Sequence, residues 1–277
     1  MHPMKTVLIT GSSRGLGRAL VKHFQQKGWQ VAATMRAPDA ERELHLLPHV
    51  RVYGMDVIDD ASVRKAVSEV LRDSDGIDMV INNAGYGTFG PFEAATEEQI
   101  QHQFSTNLFG TMRVIRSVLP HFRARRGGMV VNIGSVGGLM TFPFYSLYHG
   151  TKFALEGFSE SLRFELKPLG ITVKLIQAGG VSTDFNGSSL QLFSREGFEA
   201  YSEAHDKCLA AYRSNGSSLN ASPESVAADI FGAVTDGTDR LRYILPQGGL
   251  TSQLVQMRET MSDEHLAEAL WKSFMGT

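Results

Sequence analysis

Tyr148 and Lys152 stand four residues apart in the stretch Y-S-L-Y-H-G-T-K, at the start of a strongly helical pattern. A helix puts that pair on one face. An ammonium beside a phenol favours the phenolate, so the pKa of Tyr148 is expected to fall from its ordinary value of about 10. A tyrosine tuned in that direction can exchange a proton with the oxygen of an alcohol or a ketone. Ser135 follows the apolar run Met129-Val130-Val131-Asn132-Ile133, and its hydroxyl could hydrogen-bond the same oxygen. Taken alone the pair is a weak signal, because a tyrosine and a lysine at this spacing commonly decorate a surface helix.

The segments that must position these groups alternate between strand and helix. Thr6-Val7-Leu8-Ile9-Thr10 is a short β-branched run that ends in Gly11-Ser12-Ser13-Arg14-Gly15-Leu16-Gly17. A helical pattern follows with Leu16, Ala19, Leu20 and Phe24 on one face. Strand, glycine turn and helix form the first half of a βαβ unit, where backbone N–H groups and a helix N-terminus receive a pyrophosphate. The spacing is G-x-x-x-G-x-G, a variant of the general dinucleotide fingerprint. The second strand, 30–34, runs into Met35-Arg36 with no acid at its end to bond a ribose 2′-hydroxyl. Arg14 and Arg36 suit a 2′-phosphate instead, and Asp39 and Glu41 are read as loop charges.

Strands are also expected at 50–55, 77–81, 129–133, 171–176 and 241–245. Asp56-Val57 closes the third. Its carboxylate could accept from an adenine amino group or cap the next helix, a job open equally to Asp59 or Asp60. The fourth strand runs into Asn82-Asn83-Ala84-Gly85, small enough for a flat ring to approach the backbone. Residues 97–122 read as one long helix with Asn107 inside it, an amide that needs partners from the backbone or a water. The alternation implies an α/β domain with a parallel sheet covered on both faces. The candidate groups cluster at strand C-terminal ends, where such sheets bind ligands.

Residues 184–222 break the pattern. They read as short helices forming a flap over the site, with Phe185 and Phe193 among the apolar residues turned inward. Ser222-Pro223 signals a helix start, and 262–274 a final amphipathic helix within a C-terminal extension, 250–277.

The 277 residues are 42% hydrophobic and 20% charged with net charge -2, which gives no sign of a nucleic-acid partner. One cysteine, Cys208, excludes an internal disulfide, and nine scattered histidines lack the spacing of a metal site. No apolar run reaches the roughly 18 to 20 residues of a membrane span, and the first strand leaves no room for a signal peptide. A soluble, cytoplasmic protein is the expectation.

The motifs T-G-x-x-x-G-x-G at 10–17, N-N-A-G at 82–85, Asn107, Ser135 and Y-x-x-x-K at 148–152 occur in an order that resembles the short-chain dehydrogenase/reductase family. The flanking S-V-G-G-L-M-x-x-P-F and F-A-L-E-G-F are similar to its hydroxysteroid and retinol dehydrogenase branch. The resemblance spans about residues 5–250. It implies a single Rossmann-type, doubly wound domain of about seven strands, and metal-free hydride transfer between NADP(H) and a carbinol or carbonyl carbon.

By the same resemblance, Tyr148 is the acid/base, Ser135 orients the substrate oxygen, Lys152 lowers the phenol pKa and holds the nicotinamide ribose, and Asn107 positions a water. Gly11, Ser13, Arg14, Gly15, Leu16 and Gly17 line the diphosphate, Arg36 adds to the 2′-phosphate site, and Asp56 and Val57 contact adenine. Asn83, Ala84 and Gly85 pack near the middle of the cofactor. Gly179, Val181 and Thr183 belong beside the carboxamide, although Ala178 stands where the family usually has proline. Met140, Phe142, Tyr145, Phe185 and Phe193 give an apolar wall suited to a hydrophobic ketone, aldehyde or secondary alcohol. Assembly through the helices at 97–122 and 148–167 is implied. An extension covering one tetramer surface favours a homodimer over a tetramer. Two alternatives stay open: a non-catalytic NADP-binding sensor or scaffold, and an NAD-dependent enzyme of the same fold.

Overall fold

A computed structural model describes residues 4–182, 189–193, 196–215 and 221–276. The strands are β1 (Thr6–Ile9), β2 (Gln30–Met35), β3 (Val50–Gly54), β4 (Met79–Asn82), β5 (Gly87–Phe89), β6 (Gly128–Ile133), β7 (Ile171–Ala178), β8 (Leu190–Leu192) and β9 (Arg242–Leu245). The helices are α1 (Gly15–Gln26), α2 (Asp60–Asp73), α3 (Glu97–Phe104), α4 (Gly110–Arg125), α5 (Ser146–Leu166), α6 (Ser202–Asn215), α7 (Pro223–Thr235), α8 (Gly249–Thr260) and α9 (Asp263–Met275).

Seven strands form one parallel sheet in the order β3-β2-β1-β4-β6-β7-β9. Strand alternation sends Val7 and Ile9 to one face and Leu8 to the other. Val7 and Ile9 pack with Leu20 and Phe24 of α1 and Val226 and Ile230 of α7. Leu8 packs with Val63 of α2, Val114 and Val118 of α4, and Leu162 of α5. Each such buried aliphatic side chain contributes about 1.5–3 kcal/mol. Both faces are therefore filled, as an all-parallel sheet requires.

Helix starts follow the side chains. Asp59 caps α2 by accepting from Ala61 N, whereas Asp56 accepts from Ile58 N at 3.1 Å, which settles which acid caps the helix. Thr96 and Gln99 make a reciprocal capping box on α3, and Ser222 caps α7 ahead of Pro223.

Four features differ from expectation. The helix over 97–122 is interrupted by a π-turn at Ser105–Phe109, where the buried Asn107 amide engages the Tyr86 peptide. Glu41 is a buried anchor rather than a loop charge. It is 7% exposed, pairs with both terminal nitrogens of Arg18 at 2.8 and 3.0 Å, and accepts from the N–H groups of Arg42, Glu43 and Leu44. In the described part of the flap, β8 pairs in parallel with β5 and is followed by α6. The C-terminal extension carries two helices, and Met140 is buried among Leu254, Met257, Leu266 and Leu270 from them.

Candidate active site

The glycine turn after β1 is clamped to the end of β4. Thr10 Oγ1 accepts from Asn83 N and Ala84 N, both at 3.0 Å, and the Asn83 amide donates to Thr10 O at 2.9 Å and Gly11 O at 3.2 Å. Gly11 holds a φ of +69°, and a Cβ there would lie 2.9 Å from Ala84 Cα. At Gly17 a Cβ would meet Gly11 O at 2.2 Å, so the first turn of α1 and the loop touch backbone to backbone. Ser13 and Arg14 are exposed, and Gly15 and Leu16 half-buried, at the head of α1. That helix has neither a side-chain cap nor an acid in its first turn. A cradle of close-set backbone opening on uncapped N–H groups fits the pyrophosphate of a dinucleotide. Arg36 is exposed directly after β2. Glu41 is taken up by Arg18 and three peptide N–H groups, whereas Asp39 stays exposed three residues after Arg36.

The candidate acid/base groups lie on α5 and at the end of β6. Tyr148 and Lys152 occupy successive turns of α5, and the lysine Nζ lies 5.8 Å from the phenol ring centroid. Both are buried. Lys152 Nζ donates to Ile133 O at 2.8 Å, at the end of β6. Ser135 Oγ accepts from Gly137 N at 3.0 Å. Its hydroxyl also hydrogen-bonds the Tyr148 phenol. Asn107 Nδ2 donates to Tyr86 O at 2.9 Å and to Thr151 Oγ1 at 3.2 Å, and its Oδ1 accepts from Tyr86 N at 3.1 Å. Its amide partners are thus protein groups.

The expected fall in the Tyr148 pKa is not what this geometry produces. Burial pushes the phenol up to about 12, against the opposing pull of the Ser135 hydrogen bond. Burial likewise lowers the Lys152 ammonium to about 8. The lysine is itself desolvated and committed to a carbonyl, so proximity to the phenol does not outweigh the loss of water around both.

Residues 5–191 match the family described as short chain dehydrogenase. This chain belongs to the short-chain dehydrogenase family. Retinol dehydrogenase 8 of Homo sapiens is 35% identical over 252 residues, covering 86% of this chain and 80% of its own. A short-chain dehydrogenase from Streptomyces avermitilis superposes with a TM-score of 0.82 at 31% identity, covering 97% and 99% of the two chains. The closed form of serine dehydrogenase complexed with NADP+ superposes at 0.73 and 26% identity, covering 86% and 94%.

In this dehydrogenase the phenol faces an aromatic cluster. The Tyr145 ring lies 5.9 Å from that of Tyr148 and 4.9 Å from that of Tyr212 on α6. Phe142 lies 6.2 Å from Phe274 of α9, which stacks 4.6 Å from Tyr212. Tyr145 and Phe142 belong to one cluster with Tyr148, and the C-terminal helix joins them through Phe274. Met140 is instead covered by α8 and α9, and Phe193 packs in a separate cluster with Ala94 and Leu147. Thr183 and Phe185 lie outside the described residues.

On the cofactor side, Gly85 sits against Asn107, where a Cβ would be 3.2 Å from Oδ1. Gly179 is pressed by Thr251 of α8, and Val181 forms a bridge with Ala221. With Ala178 in place of proline, the β7–β9 ladder runs on, Ala178 pairing with Leu245 and Gly179 N donating to Leu245 O at 2.7 Å. Val57 turns its side chain into the core under Gly110.

Sequence reasoning missed His149. Phe142 N–H can only donate, and does so to His149 Nε2 at 2.9 Å, so the ring hydrogen sits on Nδ1 and is given to Gly137 O at 2.8 Å. Burial holds this histidine neutral, at about 4. It pins the loop carrying Ser135 and Phe142 to the helix that carries Tyr148. Nothing in the residue type or spacing distinguishes it from the other histidines.

Proposed function

We propose that this dehydrogenase interconverts a hydrophobic secondary alcohol and its ketone, or a hydrophobic primary alcohol and its aldehyde, with NADP(H), Tyr148 serving as acid/base. One observation supports the reading: a buried phenol on α5 is hydrogen-bonded by Ser135, with Lys152 Nζ 5.8 Å from its ring and donating to Ile133 O at the end of β6. The nicotinamide supplies or takes the hydride when bound. Ser135 holds the substrate oxygen against Tyr148. Burial keeps the phenol protonated, so Tyr148 can donate to a carbonyl oxygen, and the reverse step requires that proton to be removed first. Lys152 holds the ribose and the end of β6. Asn107 braces the Tyr86 peptide and Thr151, which bonds the Tyr148 carbonyl, rather than holding a water through its amide.

Arg14 and Arg36 receive the 2′-phosphate through charge-assisted hydrogen bonds, which gives the preference for NADP(H). Gly11, Ser13, Gly15, Leu16 and Gly17 hold the diphosphate. Asp56 and the Val57 main chain border the adenine, Asn83, Ala84 and Gly85 the cofactor's middle, and Gly179 and Val181 its carboxamide. Tyr145 and Phe142 exclude water and favour an apolar substrate. Exposed Phe153 and Phe164 on α5 suit a homodimer packed through that helix. Among the described residues no helix is long and apolar enough to cross a membrane.

The test is NADPH oxidation against a panel of ketones and aldehydes, with Tyr148→Phe as control. Bulky apolar carbonyls should be reduced fastest, and the variant should lose about 100- to 10,000-fold in kcat while still binding NADPH. Preference for small charged oxo-acids would overturn the substrate class. Tight NADPH binding without turnover across the panel would favour a sensor.

A further inference from the structure

We infer that Gln177 and Glu156 are positioning residues for Ser135, reached through its main-chain N–H; the inference rests on the reaction proposed above. Gln177 lies near the end of β7 and is 1% exposed. Its Oε1 accepts from Ser135 N at 2.8 Å. Its Nε2 donates to Glu156 Oε2, and Glu156 Oε1 in turn receives Arg242 Nε from β9. Gly134 makes the contact possible, since a Cβ there would sit 2.4 Å from Gln177 Oε1.

Glu156 continues a row. Tyr148, Lys152 and Glu156 stand at i, i+4 and i+8 on α5, one above the other on a single face. Lys152 fixes Ile133 O, the Ile176 carbonyl fixes Gly134 N at 2.7 Å, and Glu156 acts through Gln177 on Ser135 N. Three consecutive residues are thus tied down, so that the Ser135 hydroxyl meets the phenol.

The amide's direction is dictated by chemistry. An ionised carboxylate only accepts, so Glu156 selects the NH2 side of Gln177 and leaves the carbonyl for Ser135 N. Without Glu156 the amide could turn over and present a donor to a donor. Arg242 balances the charge of Glu156, which has only 13% of its side chain exposed. This relay gives Gln177 a role that a packing residue of the same volume could not fill.

The experiment compares wild type, Tyr148→Phe, Gln177→Met, Glu156→Leu and Glu156→Gln in both reaction directions. Glu156→Gln offers one oxygen to the two donors, Gln177 Nε2 and Arg242 Nε, and should keep more kcat than Glu156→Leu but less than wild type. Gln177→Met and Glu156→Leu should each lose about 100-fold in kcat with KM for NADPH unchanged, as expected for a misplaced reacting group. Loss of the Ser135 hydrogen bond should also raise the phenol pKa, moving the rise of alcohol oxidation with pH to higher pH. Reduced folding would lower the amount of active protein without moving that profile. Should Gln177→Met fail to fold, the contrast between Glu156→Leu and Glu156→Gln decides the question by itself. Wild-type kcat and pH profile in both loss variants, with Tyr148→Phe inactive, overturns the relay alone. Full activity in Tyr148→Phe overturns the underlying reaction and the relay with it.

Discussion

Replacing Lys152 by Met should stabilise the nucleotide-free protein while abolishing turnover. Burial holds the ammonium at about 8, against 10.5 for a lysine in water. That difference costs the folded state about 3 kcal/mol at neutral pH. Methionine fills the volume of the stem without a charge. The substitution orphans Ile133 O, now bonded at 2.8 Å, which returns about 1 kcal/mol of the gain. A net gain of about 2 kcal/mol remains, or about 4 °C in Tm.

The pH dependence carries the sign. Below pH 8 both folded and unfolded chains hold the lysine proton, and the gap between variant and wild type is full. Between pH 8 and 10.5 the unfolded chain keeps a proton that the folded one has released, so wild-type stability climbs with pH and the gap closes. Thermal melts of both proteins at intervals from pH 6.5 to 10.5 measure it. A variant less stable than wild type at pH 7, or a gap that does not narrow with rising pH, refutes the reasoning.

Two further perturbations probe the cofactor end. Arg36→Asp should raise KM for NADPH by about 10- to 100-fold and spare NADH, since it replaces a phosphate-binding cation with an opposing charge. An unchanged ratio of the two in steady-state kinetics removes Arg36 from the site and reopens the NAD reading. Glu41→Gln should cost about 2 kcal/mol at pH 7, because the Arg18 hydrogen bonds hold that carboxyl at about 2. The stabilisation is present above the ordinary pKa near 4.5 and fades as pH falls through 2, so urea midpoints of variant and wild type should converge in acid. Equal midpoints at pH 7 would show that the Arg18 pair contributes nothing.

The sheet was legible because its strands are apolar runs bounded by turns, and burial on both faces makes such runs conspicuous. The candidate acid/base pair and the glycine turn stood out because Y-x-x-x-K and G-x-x-x-G-x-G are local in sequence. What escaped depends on contacts across long stretches of chain. Glu41 reads as solvated until Arg18 comes against it, and β5 and β8 are three residues each, paired across a hundred positions. The Tyr148 pKa depends on how completely the aromatic cluster, α6 and α9 exclude water, a tertiary quantity that spacing does not carry. Gln177 escaped for a similar reason. An amide near a strand end becomes informative only when its partners are seen.

The widened turn at Ser105–Phe109 takes up one residue more than an ordinary helical turn. An α-helix advances about 100° per residue, so α3 and α4 are out of phase by roughly that angle. Each half can therefore aim its apolar stripe independently. Ile100 and Phe104 of α3 reach the cluster around Leu147 and Phe193, while Val114 and Val118 of α4 lie against the sheet. Deleting one residue here would let the ladder re-wind to a regular period and force one of the two stripes off its target. The joint thus tolerates changes of side chain far better than changes of length, and Asn107 sits at the point where the two phases are reconciled.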